Sequence, residues 1–149
     1  MLGKSVYRAA VVSLLALSPV LLTGDDASPR DRLVGAWQPQ DSGAKDAGVW
    51  TLAQKTGDVM HITYSVGDEK VLEFDCATTG KECKIKDSGK SATVSLWFNG
   101  NRLVALETRG PEVVKRRFAA ADGDSLEVEM IPISPDGKTE KVVFHRIHK

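Results

Sequence analysis

Apolar and polar residues alternate along most of the second half of this chain, as in strands with one buried face. Between Lys90 and Arg146 the alternation is interrupted at Asn99-Gly100, Gly110-Pro111, Ala121-Asp122-Gly123 and Pro135-Asp136-Gly137. Each interruption carries turn chemistry. Asn-Gly supplies the positive φ of a tight hairpin, Gly ends a three-residue loop, and Pro presets φ at the second turn position. The first turn is expected to pair Phe98 with Asn101 and Leu96 with Leu103, and the second Ala105 with Arg116 and Glu107 with Val114. The third is expected to pair Phe118 with Leu126 and Arg116 with Val128. The last should set Met130 against Val142, Val128 against Phe144 and Leu126 against Arg146.

Opposed residues share a face of a sheet. The four turns, read separately, agree on one apolar face that includes Val94, Leu96, Phe98, Leu103, Phe118, Leu126, Val128, Met130, Val142 and Phe144. A one-residue slip at any turn would scatter that set over both faces. The same registers put Glu107, Arg116 and Arg146 on the apolar side.

The first half is similar in character. Leu33–Trp37 reads as a short strand and Gln40–Ala47 as a loop without periodicity. Lys55-Thr56-Gly57 should pair Leu52 with Met60 and Trp50 with Ile62. Gly67-Asp68-Glu69 should pair Tyr64 with Leu72, Ile62 with Phe74 and Met60 with Cys76. Lys84–Lys86 reads as a short polar strand at an edge or rim, and no segment has a helical period. A meander of about eight to ten strands leaves two raw edges unless it closes. The expected fold is therefore all-β, an antiparallel up-and-down barrel.

The N-terminus has a different pattern. Lys4 and Arg8 precede the apolar run Ala9–Leu22, which polar Thr23-Gly24-Asp25-Asp26 follows. This is the layout of a secretory signal peptide, too short and too interrupted by Pro19 for a stable span. The expected organisation is a leader over 1–24, a polar linker over 25–32 and one barrel domain over 33–148. The protein is then exported, to periplasm or extracellular space, as a monomer that does not stay inserted in a membrane. In that compartment Cys76 and Cys83, the only cysteines, are expected to form a disulfide across a Gly-containing turn.

Lys plus Arg and Asp plus Glu both number 20, so no overall charge draws the chain to nucleic acid. In Lys115-Arg116-Arg117 strand alternation sends only Lys115 and Arg117 outward. His61, His145 and His148 lack metal-ligand spacing, and no metal or cofactor is expected. No nucleophile motif or acid–base set stands out, so no enzymatic activity is expected.

Two short motifs carry a resemblance. Gly35-Ala36-Trp37 in the first strand, with Arg146 in the last, resembles the lipocalin superfamily pattern, in which the Trp closes one barrel end and a late Arg stacks on it. Phe144-His145-Arg146-Ile147-His148 is similar to the Arg-x-Tyr ending of fatty-acid-binding proteins, with His148 in place of Tyr. In layout the chain looks like exported bacterial lipocalin-like, calycin-type barrels. The resemblance implies a structural Trp37–Arg146 stack and binding of a small hydrophobic molecule.

Two functions then stand open. In the first, the barrel is a carrier whose pocket is lined by Tyr64, Met60, Phe74, Leu96, Val128 and Phe144. Arg116, beside Glu107, there either anchors a ligand carboxylate or hydroxyl or forms a structural ion pair. In the second, large side chains fill the barrel, and it works as an interaction module, for example a protease inhibitor, through its loops.

Overall fold

Residues 27–41, 48–121 and 123–148 are described by a computed structural model. The leader expected over 1–24 and the centre of the loop expected at Gln40–Ala47 lie outside them. One short helix, α1 (Pro29–Leu33), precedes ten strands: β1 (Gly35–Pro39), β2 (Val49–Gln54), β3 (Val59–Val66), β4 (Glu69–Ala77), β5 (Thr79–Asp87), β6 (Lys90–Asn99), β7 (Arg102–Arg109), β8 (Glu112–Ala121), β9 (Ser125–Ser134) and β10 (Glu140–Arg146). Every strand is antiparallel to its neighbours, and β1 pairs with β10 to close the barrel.

The expected faces hold, while four of the expected registers move. β3–β4 and β7–β8 pair as the turns predict, with Met60 opposite Cys76 and Ala105 opposite Arg116. At the other turns the pairing slides by two: Trp50 faces Tyr64, Phe98 faces Leu103, Phe118 faces Val128 and Val142 faces Val128. Moving a turn's centre by one residue shifts the pairing by two. A two-residue shift leaves every side chain on its own face. At β6–β7 the cause is visible: Gly100, at φ +61°, takes the first central position of the turn, and Asn99 pairs with Arg102 instead of entering the turn. On the β9 side Leu126 faces Phe144 rather than Arg146, and on the β1 side Arg146 faces Trp37.

Two further elements differ from the sequence reading. The segment read as a linker holds α1, started by a capping box in which the Ser28 hydroxyl accepts from Asp31 N and the Asp31 carboxylate accepts from Ser28 N, with Pro29 in the first turn. The short rim strand at Lys84–Lys86 is part of the full strand β5, paired along β6. On its other side β5 has one ladder partner pair with β4, Leu72 opposite Asp87. The disulfide Cys76–Cys83 spans this thin seam near its turn, with Cα atoms 5.9 Å apart.

In a meander, alternate turns gather at opposite ends. The base collects the β2–β3, β4–β5, β6–β7 and β8–β9 turns, and α1 lies across it. Leu33 is driven fully into the core, while Arg30 donates to Thr78 Oγ1 at 2.7 Å and to Gly57 O at 3.2 Å. The other end, the mouth, carries the β1–β2 loop and the β3–β4, β5–β6, β7–β8 and β9–β10 turns.

Candidate functional site

The base is filled and sealed. Trp37, Leu52, Met60, Leu96, Leu103 and Leu126 have no accessible surface. The Arg146 guanidinium lies 4.3 Å from the centre of the Trp37 ring, and Trp37 Nε1 donates to Leu33 O at 3.0 Å. Arg146 also donates to Val34 O at 2.6 Å, Arg32 O at 3.1 Å and Gly123 O at 3.1 Å. Gly35, at φ +146°, leaves room for this: a Cβ there would collide with Nη1 of Arg146. The Gly-x-Trp spacing thus has a steric cause, and Trp37 and Arg146 stack at the base.

Above this plug the interior changes. Trp50 stacks at 4.5 Å on Tyr64 and meets Phe118 edge-on at 5.0 Å, while Arg116 lies 5.9 Å from the Trp50 ring. Only about 10 Å³ of space remains among Trp50, Phe74, Val94 and Phe118 below, too little for more than a single water. On the mouth side a cavity of about 260 Å³ opens, walled by Tyr64, Leu72, Val128, Met130, Val142 and Phe144. Arg116 and Asp87 supply polar groups in its lining, and Glu140 a further carboxylate. Beside it, Gly48 N donates to Tyr64 Oη at 2.9 Å, tying the start of β2 to that wall.

Of the side chains expected to line a pocket, Tyr64, Val128, Phe144 and Arg116 line this cavity. Met60, Leu96 and Phe74 do not. Met60 and Leu96 belong to the packed base, and Phe74 borders the residual space under Trp50. Strand parity gives a residue's face but not its height along the barrel axis, and these three sit too low.

Arg116 is not a free cation. Its Nη1 donates to Glu107 Oε2 at 2.7 Å, the diagonal contact between β7 and β8 that the register predicts. Glu107 is buried, with only 5% of its surface exposed. Burial raises its pKa, a hydrogen bond to Asp87 raises it further, and Arg116 opposes both. For Asp87 burial works against ionisation, yet hydrogen bonds from Glu107 and Ser88 and the charges of Arg109 and Arg116 outweigh it and hold the carboxyl below its ordinary value. Of the two carboxyls Glu107 therefore ionises at the higher pH and Asp87 at the lower. Asp87 escaped the sequence reading because β5 was cut short there. Extending its alternation from Cys83 through Ile85 carries Asp87 to the same inward face.

No protein-family profile matches the sequence, and no curated protein matches it. Solved structures do match in shape. Secretory abundant heat soluble protein 4 from Ramazzottius varieornatus superposes with a TM-score of 0.63 at 17% identity, over 82% of this chain and 97% of that one. The Schistosoma mansoni fatty-acid-binding protein in complex with arachidonic acid gives 0.65 at 14% identity, over 81% and 100%. The fluorescent protein UnaG gives 0.62 at 17%, over 78% and 98%. The fold is a closed ten-stranded antiparallel barrel like those of these structures. At these identities the likeness is one of fold, and what this barrel does has to be argued from its own cavity.

Proposed function

We propose that this protein is an exported, monomeric binding protein that carries a small, mainly apolar molecule in the mouth half of its barrel, without chemistry on it. The observation that carries this reading is the cavity of about 260 Å³, apolar on its walls and polar at Arg116 and Asp87. That volume lies just below the range of about 300–1,000 Å³ for ligand pockets. The ligand is therefore small, or leaves part of its length outside the mouth. Burial of its body stabilises the complex by roughly 25 cal/mol per Å² of apolar surface. The neighbours described as fatty-acid-binding proteins lend the fold a precedent. The disulfide and the leader-like pattern of residues 1–24 support export.

The test uses an environment-sensitive apolar dye and the variant Val142→Trp. Val142 lines the cavity yet is 40% exposed, so a larger side chain fits without overpacking the core. Dye fluorescence should rise with the native protein and stay flat with Val142→Trp, the two proteins melting at similar temperatures. Equal dye binding by both would place the ligand elsewhere. Native mass spectrometry of the protein taken from its own host then identifies the ligand class.

A further inference from the structure

The polar lining of the cavity specifies what kind of ligand end it accepts. Arg116 is the cavity's cation, and among the described residues its one hydrogen-bond partner is Glu107, reached through Nη1. Its other N–H groups remain available and call for an acceptor. Asp87 stands in the same lining; Ser88 donates to its Oδ1 at 3.0 Å and Arg109 lies 3.5 Å from its Oδ2, and the lone pairs of the carboxylate that remain accept a further donor. Arg109, which borders the adjoining space, bridges Asp87 at 3.5 Å and Glu112 at 2.6 Å, and its charge is balanced by that of Glu112.

Charge then decides among the candidates. With Glu107 protonated, Arg116 and Asp87 cancel. With Glu107 ionised, the group is negative, and Glu140 adds a further negative charge in the lining. In neither state is there net positive charge to hold an acid. A carboxylate brought to Arg116 would meet Glu107 and Asp87, and like charges that close force one group to give up its ionisation. An ammonium would sit beside the guanidinium and leave the open N–H groups of Arg116 without an acceptor. A hydroxyl or a primary amide meets both demands at once, accepting from Arg116 and donating to Asp87.

Resting on the carrier reading, we infer that the site selects a ligand whose polar end is uncharged and both donates and accepts hydrogen bonds, an aliphatic alcohol or primary amide, over the acid or amine of the same chain. Glu107 sets this selectivity by neutralising Arg116 from below.

Calorimetric titration of the full chain at neutral pH with octanol, octanamide, octanoate and octylamine tests it. The alcohol and amide should bind about tenfold or more tighter than the two charged ligands. Glu107→Gln, which keeps the shape and removes the charge, should raise octanoate affinity about tenfold relative to octanol. Asp87→Asn should shift octanoate in the same direction, and it serves if Glu107→Gln fails to fold. Tightest binding by octanoate or by octylamine to the native protein overturns the inference while leaving a carrier. An unchanged octanoate affinity relative to octanol in the folded variants overturns it too. No binding by any of the four removes the carrier reading, and this inference with it.

Discussion

Arg146 allows the sharpest test of how the base is held. Its guanidinium stacks on Trp37 at 4.3 Å and bonds the carbonyls of Val34, Arg32 and Gly123. Arg146→Met keeps much of the aliphatic packing and removes all of these. A partly exposed cation–π contact contributes about 1 kcal/mol. The bond to Val34, at 2.6 Å and partly buried, contributes about 1.5 kcal/mol, the low end for a charged donor. The more exposed bonds to Arg32 and Gly123 contribute about 1 kcal/mol between them. The expected loss is about 3.5 kcal/mol, or roughly 4 °C of Tm per kcal/mol at this chain length, near 14 °C in all. Urea unfolding followed by tryptophan fluorescence measures it directly, with thermal melts alongside. Arg146→Lys, which keeps the charge but not the fork of donors, should lose about half as much. Ligand or dye binding at the mouth should hardly change in either folded variant, because the contacts lie at the opposite end. A loss below about 1 kcal/mol for Arg146→Met would mean that water replaces the guanidinium at those carbonyls, and the account of the sealed base would be wrong.

Other perturbations have equally definite outcomes. Gly35→Ala places a Cβ against Nη1 of Arg146 at a φ that favours glycine, so it should cost about 2–4 kcal/mol in urea unfolding; a neutral result would refute the steric reading of Gly-x-Trp. Because burial raises the pKa of Glu107, the folded chain holds a proton above 4.5 that the unfolded chain has released, and this group's contribution to stability falls as pH rises from there. Asp87, held below 3.8, has finished titrating in that window. The difference in stability between the native protein and Glu107→Gln should therefore drift against the native protein as pH rises above 4.5, and parallel pH profiles would contradict the assignment. Replacing Cys76 and Cys83 together by Ser should cost about 2.5 kcal/mol from the loop they close. Hydrogen exchange should then quicken in β4 and β5 before β7 and β8; uniform acceleration would show that the seam is not the weak join.

Parity and turn chemistry make the barrel legible in the sequence. Inward and outward faces follow from period two, which is why Glu107 and Arg116 could be set together across β7 and β8 from sequence. Exact partners were harder, because a turn can move its centre by one residue at little local cost. Gly100 rather than Asn99 taking the first central position is such a move. Height along the axis was not legible at all: Met60 and Leu96 alternate as Tyr64 and Val128 do, yet only the latter two reach the cavity. Height depends on the stagger between strands, which accumulates around the whole barrel. The helix α1 was legible in principle, since Ser28, Pro29 and Asp31 spell an N-terminal cap, but five residues are too few to show an apolar period.

The thin seam between β4 and β5 bears on the girth of the barrel. A continuous ladder fixes circumference, because strand number and stagger set the diameter. Here one join of the ring has a single ladder pair, Leu72 with Asp87, and is pinned toward the base by Cys76–Cys83. That pair and Ser88 N, which donates to Val71 O at 3.0 Å, hold the seam near the mouth, and the disulfide holds it near the base. Between them β4 and β5 part around residues 73–75 and 84–86. The girth of the barrel is therefore set by ladders at each of the other joins and is least constrained midway up this one wall.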